Sequence, residues 1–412
     1  MSTLTLFRNR FVQAILASDL LLQLGIWIRN FAILLFVVEQ TDEDPVAVSM
    51  ISIAEYLPIF IFSFVGGTFA DRWRPKQTMI WCEICSAISV FLIFLALLFT
   101  SWHVVFFATL ISSILSQFSL PSGMKLFKQH LEGDQMQAAI SLYQTITSVF
   151  IIIGPILGTY VYQTFGIHTS LVLTGISFFL AAVVLIWIPN HPTVKDAESS
   201  NSMEKNSVWS DLLSGFRYVF SKQILTLLSL CYFLAGLAIG LTQPLAIFLV
   251  TEQLSLPKEF LQWLLTANGT GMVLGGITTM LLAKWISPPR LIILGLGVIA
   301  IGASVVGFST ELWLTMLGQL ICGIMLPGIH IGGNTTILQH TDNNYIGRVN
   351  GILNPMFTGA MVITMSIAGL LKNYLSIMII FQITAILFLF SMIAILPLYR
   401  LPTPKAENVQ QM

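Results

Sequence analysis

Residues 45–99 read PVAVSMISIAEYLPIFIFSFVGGTFADRWRPKQTMIWCEICSAISVFLIFLALLF. Two apolar runs, each long enough at about 1.5 Å per residue to cross a hydrocarbon layer of roughly 30 Å, flank a short loop carrying Asp71, Arg72, Arg74 and Lys76. Helices of a soluble domain keep a polar face, and these do not. The pattern recurs along the chain, and twelve spans are expected at about 11–38, 46–69, 77–99, 102–123, 138–162, 167–189, 223–250, 258–283, 290–309, 312–335, 350–371 and 374–398. An all-α membrane protein of twelve helices follows. Composition agrees, with 56% hydrophobic and 9% charged residues against about 25% charged in an ordinary soluble domain. Nineteen Lys and Arg balance nineteen Asp and Glu, leaving no cationic surplus for nucleic-acid phosphates.

Orientation is read from the cations, since cytoplasmic loops retain Lys and Arg. With the N-terminus inside, sixteen of the nineteen cations fall on the cytoplasmic side. Lys258 and Lys372 fall outside, and Arg29 lies within the first span. Both termini are therefore expected in the cytoplasm. The first span carries Asp19 and Arg29 and is too long for a cleavable signal, so it is expected to remain. Cys82, Cys85, Cys231 and Cys322 sit in apolar runs, which points to packing rather than to a disulfide framework or a metal site.

The longest break, Asn190 to Lys222, divides the chain. Its first half is polar; its second half places Trp209, Leu212, Leu213, Phe216 and Phe220 at helical spacing, the pattern of a helix lying on the inner membrane face. The expected organisation is an N-terminal six-helix bundle at 1–189, a cytoplasmic linker with an amphipathic helix at 190–222, a C-terminal six-helix bundle at 223–398 and a cytoplasmic tail at 399–412. The halves echo one another. FAILLFVVEQ, ending at Gln40, parallels PLAIFLVTEQ, ending at Gln253; Leu120-Pro121 parallels Leu326-Pro327; Gln129-His130 parallels Gln339-His340. Three matches in order indicate duplication of a six-span unit.

The loop after the second span, Gly67-Thr-Phe-Ala-Asp71-Arg72-Trp-Arg74-Pro-Lys76, resembles the signature loop of the major facilitator superfamily. That resemblance implies a charge latch at the inner helix ends, with Asp71 suited to a helix N-terminus and Arg72 or Arg74 to carbonyls at a C-terminus. The corresponding stretch of the second half, Leu282 to Arg290, keeps cations but has no acid, so the latch is expected to rest mainly on the first half. In the fifth span, Gly154-Pro155-Ile-Leu-Gly158-Thr159 resembles the antiporter motif Gly-Pro-x-x-Gly-Gly of exporters in that superfamily, with Thr159 in place of the last glycine. The stretch from Leu120 to Gly158, with Pro121 expected to end span four and Ala138-Ala139 opening span five, resembles the macrolide-efflux and enterobactin-exporter branch. The arginine that many drug exporters carry in span four is missing, since Trp102 to Gly123 holds no cation.

Charges at membrane depth are costly and mark transport or proton pathways. Arg29 and Glu55 sit at similar depth on helices joined by a short loop. They are expected to pair, with protonation or a cationic substrate at Glu55 breaking the pair; a static ion pair is the plain alternative. Asp19 is ten residues from Arg29, about 15 Å along the helix and 80° around it, so it needs another partner and is the second candidate for proton or substrate handling. Glu83 is expected within reach of interfacial water and loop cations. Gln23, Asn30, Gln243, Asn268 and His330 are candidate cavity residues. There is no Walker A, H-E-x-x-H or G-x-S-x-G sequence, so no catalytic residue, metal or cofactor is expected.

The resemblance and the buried charges together imply a secondary transporter of the bacterial cell membrane. Its expected work is efflux of amphipathic drugs or secondary metabolites by alternating access, driven by a proton gradient. The expected partners are a small amphipathic substrate, protons and the lipid bilayer, with a monomer as the working form. A lipid or lysolipid translocator of the same fold would set Arg29 against a phosphate, and a siderophore translocator is a further alternative of that fold. A membrane sensor or scaffold would move nothing.

Overall fold

The computed structural model describes residues 9–63, 74–99, 102–131, 133–188, 208–282, 285–342 and 345–400. Among these residues there is no strand, and eleven helices are long and apolar enough to cross a membrane. In chain order the helices are α1 (Arg10–Gln40), α2 (Pro45–Ser63), α3 (Pro75–Leu97), α4 (Val104–His130), α5 (Gly133–Ile186), α6 (Val208–Ser221), α7 (Gln223–Thr242), α8 (Leu261–Leu282), α9 (Pro288–Phe308), α10 (Leu312–His340), α11 (Ile346–Tyr374) and α12 (Ile377–Ile395). At 54 residues, α5 is about 80 Å of helix, more than twice a bilayer core. It holds two passes, broken at Gly166, whose φ of 72° lies where a residue without Cβ is at ease. Twelve passes result among the described residues.

Three expected boundaries are corrected. Pro121 does not end the fourth span, because α4 continues to His130. Beside the proline, Ser122 Oγ donates to the Phe118 carbonyl at 2.8 Å, the kind of hydroxyl contact found where membrane helices carry proline. Likewise α10 runs through Pro327 to His340, past the expected end at 335. The stretch expected as one span at 223–250 is interrupted after Thr242, at Gln243-Pro244, and resumes as a short helical stretch, Ala246–Phe248, and a wider turn, Leu249–Gln253.

The described residues form two compact units. The first draws on Met1–Lys205, Gln243–Gly269 and Met365–Ile377, and the second on Asn206–Thr242, Thr270–Thr364 and Met378–Met412. In the first, α1 packs along α5, α3 lies against α4 and α5, and α2 lies against α4. In the second, α9 packs on α10 around a core that includes Leu225, Leu228, Ile292, Leu296, Ile352 and Leu353. The sequence repeat is visible in detail. His130 and His340 close α4 and α10 in the same way, each ring Nδ1 lying 3.0–3.1 Å from the carbonyl four residues back.

The amphipathic segment of the linker is the helix α6, docked on the second unit. A Cβ on Gly215 would meet Ile352 Cδ1 at 2.8 Å, and the Tyr218 ring stacks on Tyr345 at 4.1 Å. Tyr218 Oη donates to Asp342 Oδ2 at 2.8 Å, and Lys222 Nζ donates to Tyr218 Oη at 2.5 Å. Leu213, Phe216 and Phe220 are exposed, giving α6 the apolar face the spacing called for.

Candidate functional site

In the first unit α1 presents Arg29 and Asn30 to α2. Arg29 is 4% exposed, and its Nε and Nη2 donate to Asn30 Oδ1 at 3.1 and 2.8 Å. Asn30 Nδ2 in turn donates to Glu55 Oε1 at 3.1 Å. The direct Arg29–Glu55 pair expected from the sequence is thus replaced by a relay through Asn30. An amide has both an acceptor and donors, so it serves the guanidinium and the carboxylate at once. Arg29 Nη1 has no hydrogen-bond partner. Glu55 is held from the other side as Ser113 of α4 donates to its backbone carbonyl at 2.5 Å. Its neighbour Tyr56 accepts from Gln243 Nε2 at 3.4 Å, which brings one of the candidate cavity residues to this network.

The segment Gly154-Pro155-Ile-Leu-Gly158 presses on the same turn of α1. A Cβ on Gly154 would overlap the Trp27 ring, and one on Gly158 would stand 2.6 Å from the Trp27 carbonyl and 2.7 Å from Phe31 Cβ. Absence of side chains there is what lets α5 approach the helix that carries Arg29. Just before it, the Ile152 carbonyl accepts from Thr266 Oγ1 at 3.0 Å, and Gly269 of α8 lies against Ile151. Asn268 is half-buried beside them.

The remaining candidates are dispersed. Asp19 is buried on α1, and Gln23 Nε2, one turn on, donates to Thr147 Oγ1 of α5 at 3.3 Å. Glu83 is 4% exposed and accepts from Ser119 Oγ at 2.9 Å, so it faces the helix packing rather than interfacial water and loop cations. His330 belongs to the second unit and is exposed on α10. Gly67, Asp71 and Arg72 of the signature loop lie outside the described residues. Lys76 Nζ donates to the Ile186 and Ile188 carbonyls at 3.0 and 2.5 Å, and Arg74 is exposed. The two lysines that break the cation bias both bind acids of the repeated Glu-Gln pair: Lys258 meets Glu39 at 2.6 Å and Lys372 meets Glu252 at 2.7 Å. Only the Glu-Gln repeat hinted at this in the sequence. Among the described residues no group of three or more His, Cys, Asp or Glu is placed to hold a metal.

The sequence profile of the Major Facilitator Superfamily matches residues 15–231 and again 228–411. The chain belongs to the major facilitator superfamily. The double match falls on the two repeats seen above. Among curated relatives, this facilitator is 25% identical over 390 residues to the uncharacterized MFS-type transporter YfiS of Bacillus subtilis strain 168, covering 92% of this chain and 91% of that one. It is 22% identical over 358 residues to the multidrug efflux pump Tap of Mycolicibacterium fortuitum, covering 82% and 83%. Among solved structures, the nucleoside transporter NupG superposes with a TM-score of 0.74 at 15% identity, over 96% of this chain and 100% of that one. That likeness is one of fold.

Proposed function

We propose that this major facilitator is a proton-coupled exporter of amphipathic compounds, apolar to moderately cationic, working by alternating access of two six-helix halves, 1–189 and 223–398. The observation that carries the reading is the relay of Arg29, Asn30 and Glu55 inside apolar helices, with the Gly154–Gly158 segment packed on the same turn of α1. Charges in such a place are retained for work rather than for stability. With Glu55 ionised, the amide links carboxylate and guanidinium by charge-assisted hydrogen bonds. A proton or a cationic cargo at Glu55 removes that charge, weakens the link and frees Arg29, so that charge and helix position change together. The multidrug efflux pump Tap among its distant relatives supports efflux of drug-like cargo.

In this reading the protein sits in a bacterial cell membrane with both termini in the cytoplasm, works as a monomer, and takes its energy from the proton gradient without a cofactor. The signature loop at Gly67, Asp71, Arg72, Arg74 and Lys76 controls the inner helix ends. The test is accumulation of a panel of labelled compounds in inverted vesicles with and without a pH gradient. Accumulation that collapses with the gradient is expected, and accumulation indifferent to it would remove proton antiport. One observation favours a second reading: Arg29 Nη1 lacks a partner and is suited to a phosphate, as in a lipid or lysolipid translocator. Arg29→Ala would then abolish transport of that substrate, whereas in the exporter it shifts the pH dependence.

A further inference from the structure

A groove between α3 and α4 of the first unit shares no side chain with the relay. It is open and holds about 590 Å³, within the roughly 300–1,000 Å³ of small-molecule sites. Arg74, Gln77, Trp81 and Cys85 line it from α3 over a buried floor of Thr78 and Cys82, and Leu115 and Phe118 line it from α4. Positions 74, 77, 78, 81, 82 and 85 recur at three- and four-residue spacing, so they form a single stripe of the helix. From Arg74 to Cys85 the stripe runs about 16 Å along the axis. That is about half of a hydrocarbon layer of roughly 30 Å, so the groove has the length of one leaflet, the one at the N-terminal end of α3.

Polarity is ordered along this length. At one end stands Arg74, exposed and, among the described residues, paired with no acid. Thr78 Oγ1 donates to the Arg74 carbonyl at 3.0 Å, which steadies the backbone from which the guanidinium extends. Lys76 is turned aside to the carbonyls of Ile186 and Ile188. Deeper in come Trp81, 64% exposed, and then Cys85, Leu115 and Phe118, the last met edge-on by Phe62 of α2 with ring centroids 5.3 Å apart. No described residue lining the groove is acidic. A cation and an amide at the mouth of an apolar channel of leaflet length complement a molecule with an anionic head and a hydrocarbon tail. A free anion would use only the Arg74 end, and a zwitterionic head would bring a cation of its own to Arg74. We propose that the groove binds one anionic phospholipid, its phosphate at Arg74 and Gln77 and one acyl chain along Trp81, Cys85, Leu115 and Phe118. The guanidinium presents a planar fork to phosphate oxygens, Gln77 adds an amide donor, and Trp81 gives the chain a flat ring of the kind favoured near headgroups. The site concerns the bilayer rather than the cargo, so it holds whichever compound the protein moves and whether or not protons drive it.

The experiment uses the full-length protein in phosphatidylcholine nanodiscs into which phosphatidylglycerol with brominated chains is titrated, with brominated phosphatidylcholine as the neutral counterpart. Bromine quenches an indole that it touches, and the part of the quenching that disappears in Trp81→Phe reports the groove. For the wild type, brominated phosphatidylglycerol should saturate this signal, and equal quenching should need about fivefold more brominated phosphatidylcholine, the scale of one contact between a cation and an anionic lipid. Arg74→Gln should abolish the preference and Arg74→Lys should keep most of it; both replace an exposed side chain, which spares the fold. Arg217→Gln, on the exposed side of α6, should leave the preference unchanged. Equal quenching by the two lipids, or a preference that survives Arg74→Gln, would overturn the site. So would loss of the signal on adding inorganic phosphate at constant ionic strength, which would reduce the groove to an anion site. A Trp81 that neither brominated lipid quenches would mean that protein covers the groove, and would overturn the proposal as well.

Discussion

Asn30 is the residue on which the relay turns, because it hydrogen-bonds both Arg29 and Glu55. Asn30→Ala strands a buried guanidinium and a carboxylate at one stroke. It should cost about 1–3 kcal/mol, read as a lower thermal midpoint of the purified protein, and an unchanged midpoint would argue that water replaces the amide without loss. Arg29 and Glu55 were legible by depth counting, since a charge in an apolar run stands out whatever its rotamer. Asn30 was legible only as a cavity liner. Adjacent residues on a helix point about 100° apart, and whether their side chains converge depends on rotamers that spacing does not encode. Glu83 was misplaced for a related reason: distance from a helix end measures depth, but burial depends on which neighbour, here Ser119 of α4, covers the side chain.

Among the elements, the contact of α1 with α5 has little slack. Gly158→Ala would drive a methyl against the Trp27 carbonyl and Phe31. Overpacking of this kind costs about 1–3 kcal/mol, so the variant should melt lower and transport less, while Gly166→Ala, with open space around it but a φ of 72°, should suffer only from backbone strain. At α6, the Tyr218 hydroxyl first and Lys222 second hold the Asp342 carboxyl below its ordinary 3.8, and the Tyr218 hydroxyl first holds Lys222 above its ordinary 10.5. Asp342 therefore contributes in full above pH 3.8 and loses its contribution as pH falls through the lower folded value; Lys222 contributes in full below 10.5 and loses it as pH rises through the higher folded value. Amide protection in α6, corrected for intrinsic exchange, should be level between about pH 5 and 9 and drop on both sides; Tyr218→Phe should lower it at pH 7. The existence and face of α6 were readable from apolar spacing. Its anchor on Tyr345 and Asp342 was not, because that contact joins residues 124 apart in sequence.

For the whole molecule, twelve apolar runs and one repeated signature were enough to read the fold, since the bilayer fixes helix length and leaves the backbone few alternatives. Where the reading slipped, at Pro121, it carried over a rule for soluble helices to a setting in which the helix continues through proline to His130. The repeat extends to ion pairs, with Glu39 and Glu252 holding Lys258 and Lys372. A double-mutant cycle on Glu39 and Lys258 should return a coupling of only about 0.2–1 kcal/mol, because Glu39 is partly open to solvent; a much larger value would mean that the pair is shielded during the cycle. The central claim is that charge at Glu55 drives transport. It is tested most directly by the pH profile of substrate accumulation in inverted vesicles carrying Glu55→Gln beside the wild type. The account predicts a wild-type profile that steepens with the proton gradient and a variant that is flat and nearly inactive; a Glu55→Gln protein that transports with the wild-type profile would contradict it.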